Sequence, residues 1–390
     1  MKLFQKQRGK REPELAPVQT ANPHHRLEPP FHGWCPSGFV GAAERQLYRS
    51  LRFTVPIIDA ALQKLIRLIG EFQIHCPNPQ AEQEINDCLQ TVKVNGCQYG
   101  IQNFISGYFD QLLTYGTAVG EIVLAGDGQS VGALYNVDLD EVEFLRTDSP
   151  LHWTVCRKTA GGDPVPVPYP ELVLTAALNP PHGSGAGVSV LSGLPFVSSI
   201  LMKIYHSIGV NWERLGNLRF AVTYKPSSDS TDRAYAKERA QQIAEEWSRA
   251  MQPGESVSDF VAVGDVNIRV IGSDNQILDS EVPVRQMLEQ MVAKLGIPPF
   301  LLGLSWSSTE RMSSQQADIL TSELESYRRL FNPAIGRICR LWLILQGWEP
   351  EFTICWDNIT LQDEVDLADA RLKNAQAAEI EQTLKQEEEP

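Results

Sequence analysis

From Val55 onward, apolar residues recur at intervals of three and four. Ile57, Ile58, Ala61, Leu62, Leu65 and Ile69 form one helical stripe that stops at Gly70. The same period predicts helices around Ala81 to Val94 and over Ile101 to Tyr115. Beyond Gly116 the period changes to two, which predicts strands over Ala118–Leu124, Gly132–Val137, Val142–Arg146 and Trp153–Lys158, with Gly126-Asp127-Gly128 as a hairpin turn. Pro180 to Gly185 reads as a linker. A long helix from Val188 to Asn217 follows, carrying Leu194, Val197, Leu201, Ile204, Ile208, Trp212 and Leu215 on one face. At 1.5 Å per residue it would span roughly 45 Å.

A small αβ unit, Leu218 to Leu278, comes next: a strand (Arg219–Lys225), a helix (Asp232–Met251), and two strands (Asp259–Val263, Asn267–Ile271) joined at Gly264-Asp265. The helix that follows has Asp279 or Ser280 as N-cap and Pro283 in its first turn. Met287, Leu288, Met291, Val292 and Leu295 form its stripe, and Gly296 its C′ residue. Pro298-Pro299 then breaks the chain, and Ser305-Trp306-Ser307-Ser308-Thr309-Glu310-Arg311 is a polar run. A further helix carries Ile319, Leu320, Leu324, Tyr327 and Phe331. Asn332-Pro333 is expected to restart it, as an N-cap followed by Pro at the first helical position, with Ile335, Ile338, Leu341, Trp342 and Leu345 buried behind. Helices and strands in separate runs make the fold class α+β.

Composition narrows the picture in three respects. The chain has 390 residues, 43% hydrophobic and 21% charged, which suits two or three domains with a substantial core. Its seven cysteines contain no CxxC pair and are odd in number, which favours free thiols in a reducing compartment over a disulfide framework; Cys88 and Cys97 could pair by spacing, but cytosolic disulfides are rare. The net charge of −14 counts against a sequence-specific DNA binder, whose grip comes from phosphates neutralised by a basic patch. It is neutral toward a conduit, where tight phosphate contacts would trap a duplex that has to slide.

No membrane span is expected. Val188 to Val210 is interrupted by Lys203 and His206, and Ile335 to Trp348 is too short and contains Arg337 and Arg340. No secretory signal is expected either, because Met1 to Arg11 is basic and prolines follow it rather than an apolar run. Residues 1–50 read as a mobile arm. The tail from Gln362 carries nine acids against Arg371, Lys373 and Lys385, which suits an exposed helix that frays.

Candidate chemistry is sparse. His24, His25, His32 and Cys35 match no standard zinc spacing. Gly126, Gly128 and Gly132 lack the Lys-Ser/Thr of a phosphate-binding loop and precede no helix. GxSxG, HExxH and Walker patterns are missing, so no catalytic residue, metal ligand or cofactor is expected. The densest acidic group, Asp138, Asp140, Glu141 and Glu143, keeps a metal-dependent hydrolase open as the rival reading.

Several phrases nevertheless fall in a familiar order: Tyr115-Gly116-Thr117-Ala118-Val119-Gly120-Glu121, Gly187-Val188-Ser189-Val190-Leu191, Gly296-Ile297-Pro298-Pro299-Phe300-Leu301-Leu302-Gly303, Ser313-Ser314-Gln315-Gln316-Ala317 and Leu330-Phe331-Asn332-Pro333. Together, over roughly residues 50 to 360, they resemble the portal proteins of tailed bacteriophages and prophages with HK97-like heads. The resemblance implies a ring, dodecameric in that family, at one capsid vertex, through which double-stranded DNA is packaged and ejected. Implied partners are the terminase large subunit, head-tail connector or adaptor proteins, and the major capsid and scaffolding proteins. It also implies a virion location, with host cytoplasm during assembly.

On this resemblance, residues 51–186 would be the wing, 187–217 and 279–296 the two stem helices, and 218–278 the clip. Residues 297–312 would be the tunnel loop, 313–360 long helices returning to the wing, and 361–390 a crown or tail. Ser305, Trp306, Ser307, Ser308, Thr309, Glu310 and Arg311 would then form the tunnel loop on a pivot of Gly296, Pro298 and Pro299. Lys203, Arg214 and Arg219 would be stem or channel residues. Lys237, Glu238, Arg239, Glu245, Glu246 and Arg249 would be a docking face on the clip. A ring-forming adaptor or scaffold that moves no DNA stays open beside this reading.

Overall fold

The computed structural model describes residues 39–147, 153–159, 161–182, 184–216, 219–225, 233–250, 266–271, 280–304 and 310–359. The chain forms two compact units, one of residues up to 198 and from 288 onward, the other of residues 199–287.

The first unit opens with helices α1 (Ala42–Thr54) and α2 (Pro56–Leu68), strand β1 (Phe72–His75) and helix α3 (Pro79–Thr91). The short strands β2 (Lys93–Val94) and β3 (Gln98–Tyr99) lead to helix α4 (Ile101–Tyr115). The chain continues through β4 (Thr117–Leu124), β5 (Val131–Asn136), β6 (Val142–Arg146), β7 (Trp153–Arg157), β8 (Val165–Pro166) and β9 (Val173–Ala177). A five-stranded sheet has the order β3-β2-β5-β4-β9, parallel only between β2 and β5, and β6-β7-β8 form a separate antiparallel sheet. The β4–β5 connection is the expected hairpin. Gly128 adopts φ +69°, and its N–H donates to the Ala125 carbonyl at 2.8 Å.

Helix α5 (Leu194–Gly216) begins in the first unit and continues into the second. The second unit also contains β10 (Arg219–Tyr224), helix α6 (Ala236–Ala250) and β11 (Val266–Ile271), and β10 pairs antiparallel with β11. Helix α7 (Glu281–Leu295) leads back, and α8 (Glu310–Gln346) and β12 (Thr353–Trp356) complete the first unit. The α+β class expected from the sequence is borne out.

The core is built around α4, where Phe104, Ile105, Tyr108, Phe109, Leu112 and Leu113 are fully buried. Its aromatic face receives α8: Phe109 lies 4.9 Å from the Tyr327 ring and 5.1 Å from Phe331, and Phe331 meets Tyr108 edge-on at 6.3 Å. Rings in these tilted and edge-on arrangements add stability beyond their buried area. Gln111 ties the same helix to the sheet, accepting from the Val119 N–H at 2.7 Å and donating to the Val137 carbonyl at 2.6 Å. At the far end β12 pairs with β1, Trp356 opposite Phe72. There the guanidinium of Arg328 lies over the Trp356 ring and donates from Nε to the Ile69 carbonyl at 2.8 Å, satisfying a carbonyl just past the end of α2.

Four expectations are corrected. Residues 42–50 are not part of a mobile arm: they belong to α1, which buries Arg45, Tyr48 and Leu51. The long helix starts at Leu194 rather than Val188, because residues 187–191 are held by α4, as described below. Asn332-Pro333 does not restart a helix. Pro333 lies inside the continuous helix α8, and Asn332 Oδ1 accepts from Trp356 Nε1 at 2.9 Å instead of capping. Proline in a helix interior costs about 3 kcal/mol; Phe331, Ala334 and Ile335, all buried around it, hold the helix together. Ile319, placed on the buried stripe, is 63% exposed.

Candidate functional site

Two of the phrases singled out in the sequence meet in space. Helix α4 ends at Gly116, whose φ of +76° and bond from its N–H to the Leu112 carbonyl (2.8 Å) make it a left-handed cap. The segment 186–191 lies directly on this cap. Gly187 donates to Thr117 Oγ1 at 3.2 Å, Val188 to the Leu178 carbonyl at 2.7 Å and Val190 to the Leu113 carbonyl at 3.1 Å. Ser189 is 2% exposed; its Oγ donates to the Thr114 carbonyl at 2.6 Å and accepts from the Leu191 N–H at 3.0 Å. A Cβ on Gly116 would meet the backbone of residues 187–189 at 2.5–2.7 Å, so glycine is required by contact as well as by φ. A Cβ on Gly187 would strike the Gly116 carbonyl and the Leu178 N–H. The start of α5 is thereby anchored to the most buried helix of the first unit.

Gly296, Pro298 and Pro299, the residues read above as a pivot, build a helix end and a turn. Gly296 ends α7 with φ +67°, donating to the Val292 carbonyl at 3.1 Å. Ile297 and Pro298 are buried, and Pro299–Leu302 form a 3-10 turn against α2. Gly303 closes that turn with φ +73°. Two left-handed glycines thus bracket a short, anchored, proline-stiffened element.

Ser305, Trp306, Ser307, Ser308 and Thr309 lie outside the described residues, as do the N-terminal arm up to residue 38 and the tail from residue 360. Glu310 opens α8, and Arg311 is exposed on its first turn. Lys203 is exposed on α5, Arg214 lies on the same helix and Arg219 opens β10. Lys237, Glu238, Arg239, Glu245 and Glu246 are exposed on α6, which also carries Arg249. The proposed clip strand 259–263 and its turn at Gly264-Asp265 lie outside the described residues.

Two members of the densest acidic group, Asp138 and Asp140, are engaged by arginines. Arg45 Nε donates to Asp140 at 2.7 Å, and its Nη2 also reaches that carboxylate. Arg49 contacts Asp140 at 3.0 Å and Asp138 at 3.2 Å, and Arg52 donates to Asp59 at 2.6 Å and Asp110 at 2.7 Å. For Asp140, burial pushes the carboxyl up, but the hydrogen bond and charge of Arg45, with Arg49 behind it, outweigh this and hold it below its usual range. Of the four acids on which the hydrolase reading rested, Asp138 and Asp140 bind α1 instead. The spacing of Arg45, Arg49 and Arg52, four and three apart on a helix, was the overlooked signal. Among the described residues no cluster of three or more His, Cys, Asp or Glu could hold a metal, and Cys76, Cys88, Cys97, Cys156, Cys339 and Cys355 are free thiols. No helix among them is long and apolar enough to cross a membrane.

No family model matches the sequence, and no curated protein does. Solved structures do. The chain is similar to a chain from the neck of an empty gene transfer agent (GTA) particle computed with C6 symmetry, at 15% identity, covering 87% of this chain and 91% of that one, with a TM-score of 0.60. The neck of the native GTA particle, computed with C12 symmetry, gives 14% identity, 87% and 90% coverage, and a TM-score of 0.58. An HK97 family phage portal protein from Corynebacterium diphtheriae matches at 13% identity over 86% of this chain and 99% of that one, but its TM-score of 0.38 adds nothing to the comparison. The resemblance read from the sequence is borne out at the level of fold.

Proposed function

We propose that the chain is a portal-type subunit of a phage-like particle. Many copies, twelve in the working form, would surround a hole at one capsid vertex through which duplex DNA enters and leaves. The observation that carries this reading is the fold shared along 87% of the chain with a chain from the neck of a particle computed with C12 symmetry. The role is structural and mechanical rather than enzymatic. The subunit would sit in the virion, with host cytoplasm as its place of assembly.

In this reading α5 and α7 are the two stem helices and residues 199–287 contain the clip. The exposed charged face of α6 is a docking surface for the terminase or for head-tail connector proteins. Glu310 and Arg311, on the first turn of α8, would face the DNA together with residues 305–309. In a ring every such side chain recurs around the hole, so a single residue becomes a belt of charge. The net charge of −14 fits a wall along which DNA slides, since counterion-releasing phosphate contacts would hold it fast.

The test is a packaging assay with particles carrying Arg311→Glu or lacking residues 305–309. Rings should assemble normally, while DNA packaging or retention falls. Normal packaging by both variants would remove the loop from this role.

A further inference from the structure

An acid with no hydrogen-bond or ion-pair partner among the described residues faces Gly296 at the end of α7. Glu323 lies on α8, and although the residue as a whole is exposed, its carboxylate turns toward the end of α7. A Cβ placed on Gly296 would come 2.9 Å from Oε2 and 3.7 Å from Oε1, so the carboxylate occupies the space that a side chain there would need. Among the described residues Glu323 makes no hydrogen bond and no ion pair. Beside it opens a cleft of about 550 Å³, walled by the last turn of α7, residues 178–179 and 188–190, and α8.

The charges around this carboxylate do not favour it. From α7 it faces the carbonyl end of the helix, which carries roughly half a negative charge. The only basic side chain lining the cleft, Lys294 on the same turn, forms no ion pair with it among the described residues. Residues 178–179 and 188–190 contribute Asn179 and Ser189 but no charged group to the lining. On α8 itself, Tyr327 lines the cleft one turn on; burial, and then the charge of Glu323, push its phenol up to about 12. Burial alone raises the Glu323 carboxyl above its ordinary value of 4.5, with no cation pulling it back.

We propose that Glu323 is a charge-operated latch on the pivot. As the neutral acid it seats against the end of α7, where its O–H can donate to a free carbonyl, and holds residues 296–304 to α8. As the carboxylate it is repelled by the same helix end and loosens that hold. A raised acid contributes stability that is fully present below its ordinary value and lost as pH rises through its raised one. The latch therefore opens with rising pH. Its significance for a DNA-facing loop rests on the portal reading; the latch itself is a property of the single chain.

The experiment is hydrogen exchange by mass spectrometry on the full chain, expressed as protection factors for peptides covering residues 292–304. It runs from below the ordinary carboxylate range to neutral pH. In the unaltered protein, protection should fall as pH rises, by about tenfold for each pH unit that separates the raised value from the ordinary one. Glu323→Gln, a neutral mimic that still hydrogen-bonds, should keep the high protection at every pH. Glu323→Ala should be independent of pH but lower, and Lys294→Met should leave the fall in place or steepen it. A flat profile in the unaltered protein, or the same fall in Glu323→Gln, overturns the latch. Loss of the fall in Lys294→Met overturns it too, by showing an ordinary ion pair. None of these outcomes depends on ring formation, so failure of the latch and failure of the portal reading are separable.

Discussion

Ser189 donates a 2.6 Å hydrogen bond to the carbonyl of Thr114, joining positions 75 residues apart in the chain. Thr114 and Ser189 are 1% and 2% exposed, so neither end of this bond can be replaced by water. Ser189→Ala would leave the Leu191 N–H without its acceptor and the Thr114 carbonyl without its donor, a loss of about 1–3 kcal/mol. Gly187→Ala should cost more, about 3 kcal/mol or above, because its new methyl would strike backbone that cannot swing aside. Denaturant midpoints of the two variants, at unchanged slope, check the order. A Gly187→Ala protein as stable as the parent would remove the docked segment from the fold.

Pro333 offers a test of opposite sign. It is exposed on the surface of a continuous helix, where it withholds an N–H that the helix would otherwise use. Pro333→Ala should stabilise the protein by about 1–2 kcal/mol, the restored helical bond less the added freedom of the unfolded chain. If Asn332 and Pro333 were instead a cap and first residue, the same change would be neutral or harmful. Thermal unfolding of this single variant decides between them.

What the sequence showed and what it hid follow from how local each signal is. Helix α4 was legible at both ends because its stripe is uninterrupted and a left-handed glycine stops it. The break after α7 was legible because Gly296, Pro298 and Pro299 restrict the backbone by themselves. Strands β1 and β12 were not legible: each is four residues long, and they pair only with each other from opposite ends of the unit. Helix α1 was hidden because its inward face includes arginines, which read as polar until Asp140, Asp138, Asp59 and Asp110 appear opposite them. The start of α5 was misplaced because Val188, Val190 and Leu191 look like helix stripe. Their amides are held by Leu178, by α4 and by the Ser189 hydroxyl, which no periodicity reveals.

Acid should release α1 before the rest of its unit. Asp140 is held below its ordinary value of 3.8 chiefly by Arg45, against the upward push of burial. A depressed carboxyl contributes stability that is present above its ordinary value and lost as pH falls through the depressed one. Hydrogen exchange of residues 42–54 should therefore accelerate first on acidification below that range, and Asp140→Asn should show the faster exchange already at neutral pH. Equal protection in that variant at neutral pH would mean that the arginine contacts do not hold the helix.

The isolated protein should hydrolyse no ATP, since the sequence contains no phosphate-binding loop. A phosphate-release assay with and without duplex DNA checks this. Turnover above background would place chemistry where only mechanics is expected.

The most direct measurement is electron microscopy of the purified, full-length protein, with its mass in solution determined at the same concentrations. Annular particles with a central hole, in a narrow range of subunit numbers around twelve, are the predicted result. A monomer at every concentration and salt, with no annulus in any field, would contradict the portal reading at its root.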